Sequence, residues 1–383
     1  MHAEVKLFAK LLPLAFAVAA SAAHADSVVR IGSVSPVSGP SAHLGKDTEN
    51  GARMAVADLN ARGFMIDGKK VRFELLAEDD GGDPKQGTAV AQKLVDAKVA
   101  GVVGHLNSGT TVPASKIYHA AGIPQITPAS TTPIYTRQGF KSAFRIVAND
   151  NKIGSTLGRY AVGKLQARRI AVIDDRTAFG QGLADEFIKG VKASGAKVEI
   201  VGRQFTNDRA TDFNAILTQL KGKSPDLIFY GGMDAVAGPM LKQMQALGIK
   251  ARFMGGDGLC SEKLSQLAGS ALGEGNVTCA VAGGVTGAQE QGYADFVARY
   301  RKTYNLELQS YAPYAYDAVM VLATAMQNAK SADPARFVPE IAKIDYVGVT
   351  GNVRFDPHGD LRDAAMTIHT YRGGKKTKLE VIR

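Results

Sequence analysis

The sequence predicts an α/β protein of two lobes, each a mostly parallel sheet covered by helices on both faces. Three observations carry this. Short apolar runs alternate with segments of helical spacing along most of the chain. Several apolar runs, VAGVVG, DLIFYGG and IPQITP among them, end at Gly or in a Ser/Thr turn. The cycle also begins afresh after Phe144-Arg145-Ile146-Val147, which puts a junction near residue 148. With 383 residues, 45% hydrophobic and 21% charged, the chain has room for two domains and ample material for their cores.

Taken in order, Val28 to Gly32 reads as a strand ending in the polar turn SVSPVSGPSAHLGKD. In TENGARMAVADLNARG, Met54, Ala55, Val56 and Leu59 recur at helical spacing until Gly63. VRFELLAEDD is the next strand, and Asp83-Pro84 opens the helix PKQGTAVAQKLVDAKV, with Pro in the first turn. VAGVVG and IPQITP continue the alternation. Beyond the junction the helices are DNKIGSTLGRYAVGKLQ, FGQGLADEFIKGVKASG, DFNAILTQLKG and AVAGPMLKQMQALG. The strands between them are RRIAVIDD, AKVEIVGRQF, DLIFYGG and ARFMGGDG. The long helices YADFVARYRKTYN and YAPYAYDAVMVLATAMQNAK lack strands for a third sheet and are expected to return to the first lobe. A turn at Asp356 to Asp360 and a strand near Ala365 to Tyr371 lead back to the second.

The stretch from Val102 to Pro133 draws the most attention. Its two apolar runs end in hydroxyl-rich turns, one holding Asn107, Ser108, Thr110 and Thr111, the other Thr127-Pro128-Ala129-Ser130-Thr131. In an open α/β sheet the carboxyl ends of neighbouring strands lie side by side and ligands bind outside them, so both clusters open onto one place. A helix N-terminus with Ser108 and Thr131 beside it suits a small carboxylate. The commoner role for Ser108 or Thr110, however, is to cap its own helix.

Several classes are excluded. Gly39 to Asp47, GPSAHLGKD, has Asp47 where a phosphate-binding loop needs Ser or Thr, and five residues between its glycines. No dinucleotide fingerprint, H-E-x-x-H or C-x-x-C occurs. His43, His105, His119, His358 and His369 lack metal-ligand spacing and are expected on the surface or at caps; no cofactor is expected. Unlike these, a Ser-dependent hydrolase using Ser108 with His105 nearby stays as an alternative, although no G-x-S-x-G elbow surrounds Ser108. The net charge of +10 is scattered in short pairs such as Lys69-Lys70, Arg168-Arg169 and Lys375-Lys376, which reads as solvated surface and not as a nucleic-acid patch. Lys6 and Lys10, the run LLPLAFAVAA and Ala23-His24-Ala25 form a leader of residues 1–25, with cleavage expected after Ala25 and export of the rest. Cys260 and Cys279, the two cysteines, are then expected to form a disulfide.

ENGARMAVADLN, DDGGDPKQGTAVAQKLV, VVGHLNSGTTVPASKIY, ITPASTTP, FGQGL and YGGMDAVAGPMLKQMQALG together resemble the periplasmic leucine/isoleucine/valine-binding proteins, the substrate-binding components of ABC importers. The resemblance runs over nearly the whole chain after the leader. It implies the type I periplasmic-binding fold: two Rossmann-like lobes, a three-strand hinge, and closure around one ligand. Residues 26–148 and 284–355 would form lobe 1, and 149–283 and 356–383 lobe 2. Carried over position by position, Ser108 and the Thr131 N–H would hold the ligand's carboxylate within the Ala129-Ser130-Thr131 turn. The Ala129 carbonyl, the Thr131 hydroxyl and Asp257 would hold its ammonium. Where the family carries an aromatic wall, an aromatic contact in the second lobe and a Tyr, this chain has Leu44, Phe179 and Met233. Gly82 and Asn107 stand where some members pair cysteines. The function implied is delivery of a branched-chain or other aliphatic amino acid to membrane permease subunits. The altered side-chain pocket also admits an amide, a urea-like compound or an aromatic acid.

Overall fold

A computed structural model describes residues 27–383. The leader and its cleavage site lie outside the described residues. The chain begins with β1 (Ser27–Ser35), α1 (Ala42–Ala61), β2 (Met65–Ile66), β3 (Lys69–Asp79), α2 (Pro84–Asp96), β4 (Gly101–Gly104), α3 (Ser108–Ala120), β5 (Gln125–Thr127), α4 (Ile134–Arg137) and β6 (Ala143–Arg145). These six strands form one sheet in the order β2-β3-β1-β4-β5-β6, parallel except for the β2 hairpin strand. Next come α5 (Asp150–Gly163), β7 (Arg169–Asp174), α6 (Ala178–Ala193), β8 (Glu199–Phe205), α7 (Asn214–Gly222), β9 (Leu227–Gly231), α8 (Asp234–Ala246), β10 (Arg252–Gly255), α9 (Leu264–Ala268) and β11 (Val277–Val281). The chain ends with α10 (Gln289–Tyr304), α11 (Ala312–Asn328), α12 (Pro334–Ala342), the small hairpin β12 (Tyr346–Gly348) and β13 (Gly351–Val353), and then β14 (Met366–Arg372) and β15 (Lys375–Ile382). The second sheet runs β15-β14-β11-β10-β9-β7-β8, with β14 antiparallel to both of its neighbours and the other strands running one way.

Within each sheet the parallel strands repeat one order. β3-β1-β4-β5-β6 and β8-β7-β9-β10-β11 are both the doubly wound 2-1-3-4-5 arrangement, whose ligand crevice lies where the order reverses, at the carboxyl ends of the first and third strands. Those ends are β1 and β4 in one lobe and β7 and β9 in the other, so the two crevices can face each other. Strands covered on both faces read as unbroken apolar runs, and GVVG and LIFYG are buried at every position. Local chemistry sets the helix starts: Asp83 accepts from the N–H groups of Lys85 and Gln86 at 2.8 and 3.0 Å, with Pro84 following. Close helix packing depends on small residues. A Cβ at Gly51 of α1 would lie 2.0 Å from the Ala312 carbonyl oxygen of α11, and one at Gly190 of α6 2.3 Å from that of Ser155 in α5.

The chain passes between the sheets three times, after β6, after β11 and before β14, and the passages lie side by side. Ala148 N–H donates to the Ala282 carbonyl at 3.1 Å, and Arg145 N–H to that of Gly359 at 2.8 Å. Helices α10 and α11 pack on the first lobe, where Arg299 reaches Asp58 at 2.7 Å. The Cys260–Cys279 disulfide is formed in the second lobe. Two sequence expectations need correction. Helix α1 begins at Ala42, so His43 and Leu44, read as part of a polar turn, lie on its first turn. The histidines are not uniformly superficial: His105 is fully buried, its Nδ1 2.7 Å from Asp80 Oδ2 and its Nε2 3.1 Å from the Tyr118 hydroxyl. His369, on β14, has its pKa lowered to about 4 by burial and the neighbouring Lys376 and Lys378 charges. A buried acid or a covering strand distant in sequence decides such cases.

Candidate functional site

One wall of the cleft is built from the ends of β4 and β5. Ser108, 2% exposed, is the first residue of α3, yet it does not cap the helix. Asn107 occupies the cap position, and its carbonyl takes the Thr110 and Thr111 hydroxyls at 2.9 and 2.8 Å. The expected capping role is thus overturned. Ser108 Oγ instead turns to the β5 turn, accepting from the Ser130 hydroxyl at 3.3 Å and the Thr132 N–H at 3.4 Å. That turn is fixed by Thr127, whose Oγ accepts from Ser130 N–H at 2.9 Å. Behind it Arg145, fully buried, donates to the Ser130 and Thr132 carbonyls at 3.0 and 2.8 Å and pairs with Asp360 at 2.7 Å. The Thr131 hydroxyl is buried and makes no hydrogen bond.

The facing wall comes from the second lobe. Asp257 opens a short 3₁₀ turn after β10 and is 2% exposed. Its Oδ2 accepts from the Tyr311 hydroxyl at 2.9 Å, while Oδ1 has no partner. Burial pushes the carboxyl up to about 6, and the Tyr311 hydroxyl opposes the shift. A Cβ at Gly258 would lie 2.7 Å from both Met233 Sδ and Phe179 Cε1, so this turn presses directly on those side chains. The disulfide anchors the chain just past the turn to β11.

The two walls enclose a cavity of about 10 Å³, room for about one water, lined by Ser108, Ala129, Ser130, Thr131, Phe179, Met233 and Asp257. Past Asn107, Phe179 and Met233 lies a larger cavity of about 390 Å³, flanked by Arg176 and Arg209. Leu44 does not line either one. It packs in an apolar cluster with Leu106, Ala129 and Tyr311, against which Met233 rests. His43 reaches Asp234 of the opposite lobe at 2.6 Å. Both ring nitrogens of His105 are engaged elsewhere, so no histidine base stands at Ser108. Among the described residues no group of His, Cys, Asp and Glu could hold a metal ion, and no helix is long and apolar enough to cross a membrane. Sequence reasoning missed Tyr311, read as the start of a long helix, and Asp150, read as a helix start. Neither carries a local signal, because each meets the site only through passages between the lobes.

Residues 28–375 match the periplasmic binding protein family. The chain belongs to that family. It is 35% identical over 362 residues to the Leu/Ile/Val-binding protein homolog 1 of Brucella suis, covering 94% of each chain. Its structure is similar to that of the branched-chain amino acid transporter substrate-binding protein LivJ of Streptococcus pneumoniae in complex with isoleucine. The TM-score is 0.83 at 30% identity, over 93% of this chain and 99% of the other. An R. palustris solute-binding protein in complex with benzoate shares the fold at TM-score 0.80 and 21% identity, over 93% of this chain and 96% of the other. The protein is thus a periplasmic binding protein of the branched-chain amino acid ABC transporter type, a family of substrate-binding proteins.

Proposed function

We propose that this protein captures an aliphatic L-amino acid, a branched-chain one foremost, between its closing lobes and delivers it to the permease subunits of an ABC importer. No covalent bond is made or broken. The observation that carries the reading is Asp257, with a free carboxylate oxygen, facing the hydroxyls of Ser108 and Thr131 across one small cavity. A zwitterion fits between such walls. Its carboxylate would lie at the N-terminus of α3 with the Ser108 hydroxyl and the Thr131 N–H. Its ammonium would meet the Ala129 carbonyl, the Thr131 hydroxyl and Asp257. The side chain would extend past Phe179 and Met233 towards the larger cavity, with Leu44 backing Met233. Met233 is flexible and apolar, which suits aliphatic groups of differing shape. One methylene alters burial by about 0.8 kcal/mol, too little to rank leucine, isoleucine and valine. The Brucella and Streptococcus relatives support this ligand class.

A second reading, an aromatic acid, an amide or a urea-like compound in the same cleft, draws on the replaced aromatic positions and on the benzoate complex of the same fold. Calorimetric titration of the exported protein, unfolded and refolded to strip any carried ligand, separates the two. Its N-terminal residue should be Asp26. Leucine, isoleucine and valine should bind one to one, with alanine and phenylalanine weaker and acetamide and benzoate silent. Silence towards every amino acid, with heat from benzoate or acetamide, would replace the first reading by the second.

A further inference from the structure

Asp150, the first residue of α5, is the most anomalous group in the molecule. It is fully buried, and neither carboxylate oxygen has a hydrogen-bond partner. Its backbone N–H donates to the Thr131 carbonyl at 2.8 Å, which sets it directly beneath the turn that carries the candidate clamp. The Thr131 hydroxyl and Asp257 Oδ1 are orphaned too, and both of these residues line the small cavity. Native proteins rarely leave one such group without a reason, be it a water, an ion or a functional role.

The surroundings offer no protein cation as a hydrogen-bond partner. From the hinge comes Arg145, held by Asp360 and two carbonyls. From α6 comes Glu186, paired with Lys189, and from the β10 turn comes Asp257, bonded to Tyr311. Burial and the nearby Asp257 push Asp150 up to about 8, while the Arg145 charge draws it partway back. Asp257 is raised as well, so burial shifts both acids towards the protonated form.

We infer that Asp150 and Asp257 form a two-carboxylate seat for a full ammonium, so that ligand binding releases a proton and molecules lacking the amine are rejected at neutral pH. This rests on the zwitterion reading above and sharpens it. An arriving ammonium supplies the missing positive charge and favours the ionised form of both acids. The displaced proton leaves to buffer. A carboxylate without an amine brings negative charge towards acids it cannot neutralise, so it binds only where both are protonated.

The test is leucine titration at pH 7.5 in phosphate and in Tris, whose ionisation heats differ. Wild type should show a buffer-dependent heat corresponding to release of a good fraction of a proton. In Asp150→Asn that release should fall to a third or less, while leucine still binds. 4-Methylpentanoate, leucine without its amine, should bind the variant at least tenfold more tightly than wild type. A second measurement needs no ligand. Because the folded state keeps a proton that the unfolded chain has lost above its ordinary pKa, wild-type stability must fall as pH rises from about 4 to 8 through Asp150. Asp150→Asn should remove that part of the decline and melt higher than wild type at pH 8. Equal, buffer-independent heats in both proteins, or a melting difference unchanged between pH 5 and 8, would overturn the inference. No leucine heat in wild type would overturn the zwitterion reading, and this inference with it.

Discussion

The two walls of the cleft are polar in opposite ways. On the first-lobe side Ser108, Ser130, Thr127 and the Thr132 N–H bond to one another, and Arg145 braces their carbonyls from behind. On the second-lobe side Asp257 keeps a bare oxygen, and Asp150, beneath the first wall but carried by α5, keeps two. Hydroxyls and amides are neutral and can exchange partners, so this wall, its Thr131 hydroxyl apart, is satisfied whether or not an anion is present. A buried carboxylate has no such freedom, because only a countercharge or a proton removes its penalty. The donor wall can therefore be preformed, while the acid wall is completed by what it binds.

The strongest way to break this contrast is to remove the brace of the first wall. Asp360 comes from the third passage between the lobes and accepts from Arg145 at 2.7 and 2.9 Å and from Thr136 at 2.9 Å. Asp360→Ala would leave a fully buried guanidinium without its anion. The expected loss of stability is about 3–5 kcal/mol, read as a lower urea midpoint with an unchanged slope. A loss below about 1 kcal/mol would mean that the carbonyls of Ser130 and Thr132 suffice to hold Arg145.

The acid wall should lose affinity without losing stability. Asp257→Asn removes the charge but keeps the shape and the Tyr311 contact. Leucine affinity should fall by on the order of 3 kcal/mol, roughly 100-fold, with the melting temperature of the unliganded protein unchanged or raised. An unchanged leucine affinity would show that the ammonium does not sit at Asp257.

How much of this could be read from the sequence follows the same line between local and distant. The βα alternation was legible because doubly covered strands are continuous apolar runs closed by Gly, as in GVVG before His105 and LIFYG before Gly232. The outer strand β15, KKTKLEVI, gave no such signal, because an edge strand is half exposed and guarded by Lys. In the site, the hydroxyl clusters were visible since each lies within one turn, and Asp257 was found through family likeness. Tyr311 and Asp150 were invisible: Tyr311 lies 54 positions from the carboxylate it touches, and the passages between lobes set both. His105 misled for the same reason, its partner Asp80 being 25 residues away.

The smallest expected effect tests whether the donor wall is redundant. Ser108→Ala removes one hydroxyl facing the cavity and the acceptor of the Thr132 N–H and the Ser130 hydroxyl. Both of those donors are then free to turn to a bound carboxylate, and the N-terminus of α3 still points at it. A hydrogen bond to a charged group contributes about 1.5–3 kcal/mol, and the remaining donors should hold the loss to the lower end, about tenfold in leucine affinity. A drop as large as that of Asp257→Asn would mean that the carboxylate depends on Ser108 alone. The first wall would then be a single contact and not a network, and the contrast between the walls would lie in their charge but not in their tolerance of loss.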